Sequence, residues 1–242
     1  FFTLYANAEG YKAKEVCCSS EFLDNYILSK LKKLAAEVKH GLNTYDVAHA
    51  CNEIAAFMEI LNNWYIRRTR DRFWAGDRQA FDVLYTVLVN LSKIMAPLMP
   101  FTTEYVYQAL VDARASVHLT DYPELSDVDA DENLVREMDF VQDLCSAGKF
   151  VREEKNLRNR LPLSDLTVAG SNLGFLNDAY KEIIRDELNV KQVQADSNVG
   201  AYAAPSLYLY TPLLGKKLGK DMGKVMAAYN EYKKTGVPCW SE

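Results

Sequence analysis

Apolar residues recur at steps of three and four through most of the first 150 positions, the spacing of one buried helix face. Leu23, Ile27, Leu31, Leu34, Val38 and Leu42 mark one amphipathic helix, stopped near Gly41 to Asn43. Thr44 or Asp46 can cap a longer helix that ends near Gly76, its face carried by Ile54, Phe57, Met58, Leu61, Trp64 and Tyr65. Phe81, Leu84, Tyr85, Leu88, Leu91, Ser92 and Met95 mark a third. Ala96-Pro-Leu-Met-Pro100 ends it, because proline cannot donate to a helix ladder. Thr102 or Thr103 can cap a fourth helix through Leu110. Residues 1–20 show no sustained period, which predicts a short helical lead-in followed by a loop.

Ser116 to Pro123 reads as an extended strap from its valine, threonine and proline. Asp129 or Asp131 then caps a further helix bearing Leu134, Met138, Val141, Leu144, Cys145 and Val151, which yields near Asn156 to Arg160. From Leu161 the texture changes. Leu166–Ala169, Val190–Val193 and Leu207–Tyr210 read as short strands, with a helix over 175–187 and a lysine-rich helix over 213–232. The expected fold is mainly α: a helical bundle over residues 1–160, followed by a small α/β domain over 161–242.

With 242 residues, 49% hydrophobic and 25% charged, the chain can bury one good core, or a large and a small one, as a soluble globular protein. No apolar run approaches the roughly 18 residues of a membrane span, and the first residues lack a basic region before an apolar stretch. No membrane association is expected. The start at Phe1 is that of a processed product or a piece of a longer chain, and a piece is the expectation. Five cysteines, two of them adjacent at Cys17 and Cys18, suit a reducing, cytoplasmic compartment better than a disulfide framework. No two share the spacing of a zinc knuckle, so no structural metal is expected, and Cys51 and Cys145 read as small core residues.

The net charge of −5 is unevenly laid out. Five arginines lie between Trp64 and Arg78 against Asp71 and Asp77. Lys149, Arg152, Lys155, Arg158 and Arg160 outweigh Glu153 and Glu154, and six lysines between Pro212 and Lys234 outweigh Asp221 and Glu231. Asp121 to Asp139 holds eight carboxylates and one Arg136. Separated basic islands on an acidic chain can hold a polyanion at defined places while the rest of the surface repels it. The apolar face of the second helix, carried forward from Trp64 and Tyr65, arrives at Arg68 and Arg72. Two readings are open there: pairing with protein carboxylates such as Asp71, or contact with an external anion. The helix after Asp131 repeats the construction, its seam at 141, 145 and 148 running into Arg152 and Lys155. The repetition favours anion contact.

Catalytic signatures are missing. The chain has no Gly-x-x-x-x-Gly-Lys-[Ser/Thr] loop, no Gly-x-Ser-x-Gly elbow and no His-Glu-x-x-His. Gly215, Gly219 and Gly223 have the four-residue period of a close-packing helix face rather than of a phosphate loop. His118 is isolated in the strap, and His40 and His49 flank a turn with no carboxylate partner implied.

Asn63-Trp-Tyr-Ile-Arg-Arg-Thr-Arg-Asp-Arg-Phe-Trp74, Leu84-Tyr-Thr-Val-Leu88, Met95-Ala-Pro-Leu-Met-Pro-Phe-Thr-Thr-Glu104 and Ser116-Val-His-Leu-Thr-Asp-Tyr-Pro123, in that order, resemble the isoleucyl-tRNA synthetase family beyond its catalytic core. The resemblance covers essentially the whole chain and is to the form shared by eukaryotes and some bacteria. Arg152 to Leu163, ending Arg-Leu-Pro-Leu, is similar to the basic segment that class I synthetases for branched aliphatic amino acids place after the bundle, and Leu213-Leu-Gly-Lys-Lys-Leu-Gly-Lys220 also resembles the isoleucyl form. The resemblance implies a helical domain of the class I anticodon-binding type, a junction domain, and isoleucine tRNA as partner, joined to a catalytic domain of the same polypeptide. It implies that the complete enzyme joins isoleucine to tRNA using ATP and Mg, and edits mischarged valine in a separate domain. Neither the His-Ile-Gly-His nor the Lys-Met-Ser-Lys-Ser type of signature occurs here, so the isolated chain is expected to bind RNA and to be catalytically inactive, with no cofactor of its own.

Physical chemistry supports the same role, since cations meet phosphates while unstacked bases lie on aromatics or guanidinium planes. The candidate RNA contacts are Arg67, Arg68, Arg72 and Trp74; Lys149, Arg152, Lys155, Arg158 and Arg160; and Lys216, Lys217 and Lys220. Trp64 reads as core. Alternatives are the same region of a valine or leucine enzyme, or a non-enzymatic helical module that docks a protein and would show an exposed apolar patch beside its cations.

Overall fold

The computed structural model describes residues 1–203 and 208–235, with the side chains of Lys220, Lys234 and Thr235 left undescribed. The chain divides into two compact units, one of residues 1–162 with 177–190, the other of 163–176 with 191–242.

The first unit is helical: α1 (Phe2–Ala8), α2 (Phe22–Asn43), α3 (Val47–Ile60), α4 (Arg67–Trp74), α5 (Arg78–Met95), α6 (Pro100–Leu110), α7 (Glu132–Glu154) and α8 (Asp178–Leu188). α5 is buried around most of its circumference, including Phe81, Leu84, Val87, Leu91 and Ile94, and so forms the centre of the bundle. Its polar residues Asp82, Thr86 and Asn90, one turn apart, fasten the lead-in. Asp82 accepts from the Tyr11 hydroxyl and the Lys14 amide, Thr86 accepts from the Val16 amide, and Asn90 donates to Glu15. α2 contributes Ile27, Leu28, Leu31, Leu34 and Val38 to the same core. The turn from α2 into α3 is tight. A Cβ at Gly41 would stand 3.0 Å from the Asp46 carbonyl and 3.2 Å from Ala50, so the two helices touch backbone to backbone there. Asp46 caps α3 by accepting from His49 N.

α3 and α4 form one continuous helix interrupted by a π turn at Leu61–Ile66. α6 starts at Pro100, where a missing N–H costs nothing, rather than from a cap at Thr102 or Thr103; Thr103 is buried and bonds back to the Met99 carbonyl. The strap after it includes one 3-10 turn at Val117–Leu119, and Glu104 of α6 anchors it by accepting from Ser116 and the Val117 amide. Asp131 caps α7 by accepting from Asn133 N and Leu134 N. Part of the acidic stretch has structural use. Asp139 receives Tyr26 and Lys30 of α2, and Lys39 reaches Glu124. Cys145 is buried as expected, but Cys51 is exposed, because α3 turns that position outward.

α8 packs in this first unit. It lies along α7 in the same direction, with Tyr180 bonded to Glu137 at one end and Leu188 so close over Gly148 at the other that a Cβ there would sit 2.5 Å from it. Asn177 caps α8, and Asn189, at φ +49°, ends it in the left-handed conformation common after helices.

In the second unit, β1 (Leu163–Ala169) pairs with β2 (Val190–Asp196), whose first residue falls in the other unit. Gly170 N donates to Asp196 O just past the last residue of β1, so the strands end together and run parallel. Tyr208–Tyr210, expected as a third strand, have no strand partner among the described residues, and Leu207 lies outside them. The single lysine-rich helix expected over 213–232 is two, α9 (Thr211–Leu218) and α10 (Met222–Thr235), separated at Gly219, whose φ of +48° an α-helix cannot hold.

Because α8 is part of the bundle, a chain cut at residue 160 leaves the α7 face under Ile183, Ile184 and Leu188 uncovered. Denaturant unfolding of fragments 1–160 and 1–190 tests this. The longer fragment is expected to unfold cooperatively at a higher midpoint, and equal midpoints and slopes would show that α8 contributes nothing to the core.

Candidate nucleic-acid interface

The arginines of α4 are largely used inside the protein. Arg72 donates to both oxygens of buried Asp24 at 2.8 and 2.9 Å and through Nε to Asp77 at 2.8 Å. Asp24 also accepts from the Tyr65 and Ser19 hydroxyls at 2.7 Å each. Burial opposes the charge on Arg72, and the hydrogen bonds from Asp24 and Asp77 more than restore it, leaving its pKa raised. Burial and the Asp24 charge push the Tyr65 hydroxyl well above its ordinary range. Arg72 therefore does not overhang the core as its place on the seam suggested.

Arg67, Arg68 and Lys149 converge on one carboxylate, Glu187 of α8. Arg68 is 2.8 Å from it, donates also to the Ile183 carbonyl, and lies 4.6 Å from the centre of the Trp64 ring. Trp64 is core, as its seam position indicated. Arg67 and Lys149 keep about half and two-fifths of their side-chain surface exposed, so they can still meet an external anion. Burial alone would raise the Glu187 pKa; the hydrogen bonds and charges of Arg67 and Lys149 reverse this and hold it down at about 2. Pairing with protein carboxylates thus accounts for these cations, through Asp24, Asp77 and Glu187 rather than exposed Asp71. His49, read as having no carboxylate partner, faces Glu37 at 3.3 Å.

The end of α7 is different. Lys155, Arg158 and Arg160 are exposed and have no ion pair among the described residues. Arg152, expected beside them at the surface, is only 4% exposed and turns back to the carbonyls of Arg158, Asn159 and Leu161. One turn before the helix ends, Phe150 is 62% exposed, and Val151 and Leu161 are exposed too. Phe150 was passed over in the sequence because it falls off the apolar seam, which is the signal that could have marked it. Trp74, 60% exposed, bonds the Tyr5 hydroxyl at 2.6 Å and leaves its ring accessible. In the second unit Lys216 and Lys217 are exposed on α9, while the side chain of Lys220 lies outside the described residues.

Residues 24–168, α2 through nearly all of β1, match the family described as the anticodon-binding domain of tRNA ligase. The chain belongs to that family. The chain is 46% identical over 94% of its length to isoleucine–tRNA ligase of Corynebacterium efficiens, 40% to that of Nocardia farcinica and 41% to that of Mycobacterium tuberculosis. It spans 21% of the length of each of these relatives. Glu187 lies beyond the residues matched to the family, although it neutralises cations on α4 and α7 within the anticodon-binding domain.

Glu187 is depressed in the fold from an ordinary 4.5 to about 2, so its contribution to stability is complete above about pH 4.5 and is lost as the pH falls towards 2. Replacing Glu187 with Gln leaves the nearly buried Arg68 without its carboxylate and should cost about 3–5 kcal/mol, the size seen when one partner of a buried pair is removed. Thermal melts of the variant and the parent between pH 2 and 7 should therefore converge at the acid end, and a constant difference across that range would exclude this role.

Proposed function

We propose that the chain is the tRNA-gripping, anticodon-arm part of an isoleucine–tRNA ligase of the form shared by eukaryotes and some bacteria, and that its partner is isoleucine tRNA. The observation that supports the contact is the α7 terminus, where Lys155, Arg158 and Arg160 stand exposed and unpaired among the described residues, while Arg67, Arg68 and Arg72 of α4 are held by carboxylates and only its Arg70 is exposed and unpaired among them. Exposed Phe150 and Trp74 offer ring faces on which an unstacked base can lie. Arg67 and Lys149 are secondary contacts, and Lys216, Lys217 and Lys220 form a separate basic set. In this reading the complete cytoplasmic enzyme uses ATP and Mg to attach isoleucine, through a catalytic domain elsewhere in the polypeptide, and this part alone activates no amino acid. The same reading divides the polypeptide at 160/161 into a helical domain and a junction domain, with α8 from the later part packed in the helical unit.

The exposed Phe150, Val151 and Leu161 beside these cations also favour a second reading, a docking surface for a protein. RNA binding discriminates. Lys155→Ala, Arg158→Ala and Arg160→Ala should each change stability by no more than about 0.5 kcal/mol. Each should weaken binding of an isoleucine tRNA transcript and lower the slope of log affinity against log salt by roughly 0.7–0.9 per lost phosphate contact. Arg72→Ala should do the reverse, losing about 3–5 kcal/mol of stability while leaving the slope intact. Unchanged slopes in all three surface variants would leave the protein-docking reading in place.

A further inference from the structure

Arg152 is the sole cation among the buried residues described, and among the described residues no carboxylate lies within ion-pair distance of it. Buried charge is normally paired, as Arg72 is with Asp24 and Arg68 with Glu187. Arg152 instead donates from one nitrogen, Nη2, to the carbonyls of Arg158 and Asn159, both at 3.2 Å, and of Leu161. Its Nε and Nη1 have no hydrogen-bond partner among the described residues. The loop it gathers is pinned further. The Leu157 amide donates to the carbonyl of Arg152 itself at 2.7 Å, and the side chain of Asn189 donates to the Asn159 carbonyl at 3.2 Å. Asn156 makes the turn at φ +54°. Around this inward clamp Lys155, Arg158 and Arg160 point to solvent, and Lys149, Glu153 and Asn156 to Asn159 line a recess of about 590 Å³.

A guanidinium spent on three carbonyls fixes backbone, and the backbone it fixes carries the unpaired cations. We infer that Arg152 is a positioning residue for polyanion binding: it holds the loop 156–161 in one shape so that Arg158 and Arg160 meet successive phosphates already ordered. Preordering removes from the binding step the entropy of immobilising two long side chains on a free loop. The inference rests on the reading of the α7 terminus as an RNA contact.

The test uses the full chain, an isoleucine tRNA transcript and a double-mutant cycle. Arg152→Met keeps bulk and removes charge and donors; Arg152→Lys keeps charge with a shorter reach. Arg152→Met should lower the salt slope by roughly 1.4–1.8, the amount two lost phosphate contacts carry. Arg152→Lys should recover part of it, and trypsin should cut after Arg158 and Arg160 faster in Arg152→Met than in the parent. In a background of Arg158→Ala with Arg160→Ala, Arg152→Met should change the slope no further. Arg152→Met with a parental slope, or with an equal further loss in that background, would overturn the positioning role. Should Arg152→Met fail to fold, Arg152→Lys decides by the same cycle. If Arg158→Ala with Arg160→Ala leaves tRNA binding intact, the RNA reading itself has failed, which is a different result.

Discussion

The bundle depends on one carboxylate placed where carboxylates are rarely tolerated. Asp24, in the first turn of α2, is fully buried and is satisfied by two bonds from Arg72, one from Tyr65 and one from Ser19. These donors come from α4, from the π turn before it and from the segment ahead of α2, so one side chain fixes three pieces of chain relative to each other. An ionised group in that place is stable only with all its lone pairs occupied, and loss of any donor leaves the others facing a costly charge. Asp77, cap of α5, adds a fourth piece. Burial resists its charge, but the Arg72 hydrogen bond and charge overcome that and lower its pKa.

Seen from this network, the cations of the chain fall into two populations that the charge layout alone cannot separate. On α4, Arg67, Arg68 and Arg72 are matched to carboxylates, chiefly Asp24 and Glu187 distant in sequence, and their business is mostly internal, whereas Arg70 is exposed. Those past the end of α7 are matched to nothing described. The difference follows from where a helix stops. α4 turns straight into α5 at Asp77, and carboxylates of α2 and α8 close over three of its arginines, whereas α7 ends in a loop that curls round Arg152 alone and leaves the cations after it bare.

Helix positions were legible because the apolar period is strong in α2, α5 and α7, and because Asp46, Asp131 and Pro100 punctuate them. The basic seams were legible too, but their meaning was not. Arg72 is drawn inward by Asp24, 48 residues before it, as well as by nearby Asp77, and local spacing holds no trace of the distant partner. α8 was legible as a helix, but nothing in its own sequence tells that Leu188 will fit over Gly148 of α7. Cys51 was misread for a narrower reason, as composition favours burial of cysteine but the face of α3 that points inward is set by Ala50, Ile54 and Phe57. At Gly219 the four-residue glycine rhythm suggested a continuous helix and hid a backbone break.

The π turn at Leu61–Ile66 sets the phase of everything after it. One extra residue in a helix of 3.6 residues per turn rotates the following segment by about 100°. Before the turn the inward positions are Ala50, Ile54, Phe57 and Leu61; after it they are Tyr65, Thr69 and Phe73, a row displaced by one residue from Arg68 and Arg72. The displacement puts two guanidinium groups at the flanks of the inward row, where one side of each can touch a carboxylate and the other keeps a view of water. A helix of uniform pitch would bring both to the centre of the core. The widened turn is thus a phase shifter, and it lets a single unbroken rod serve an apolar interior along its first half and a charged border along its second.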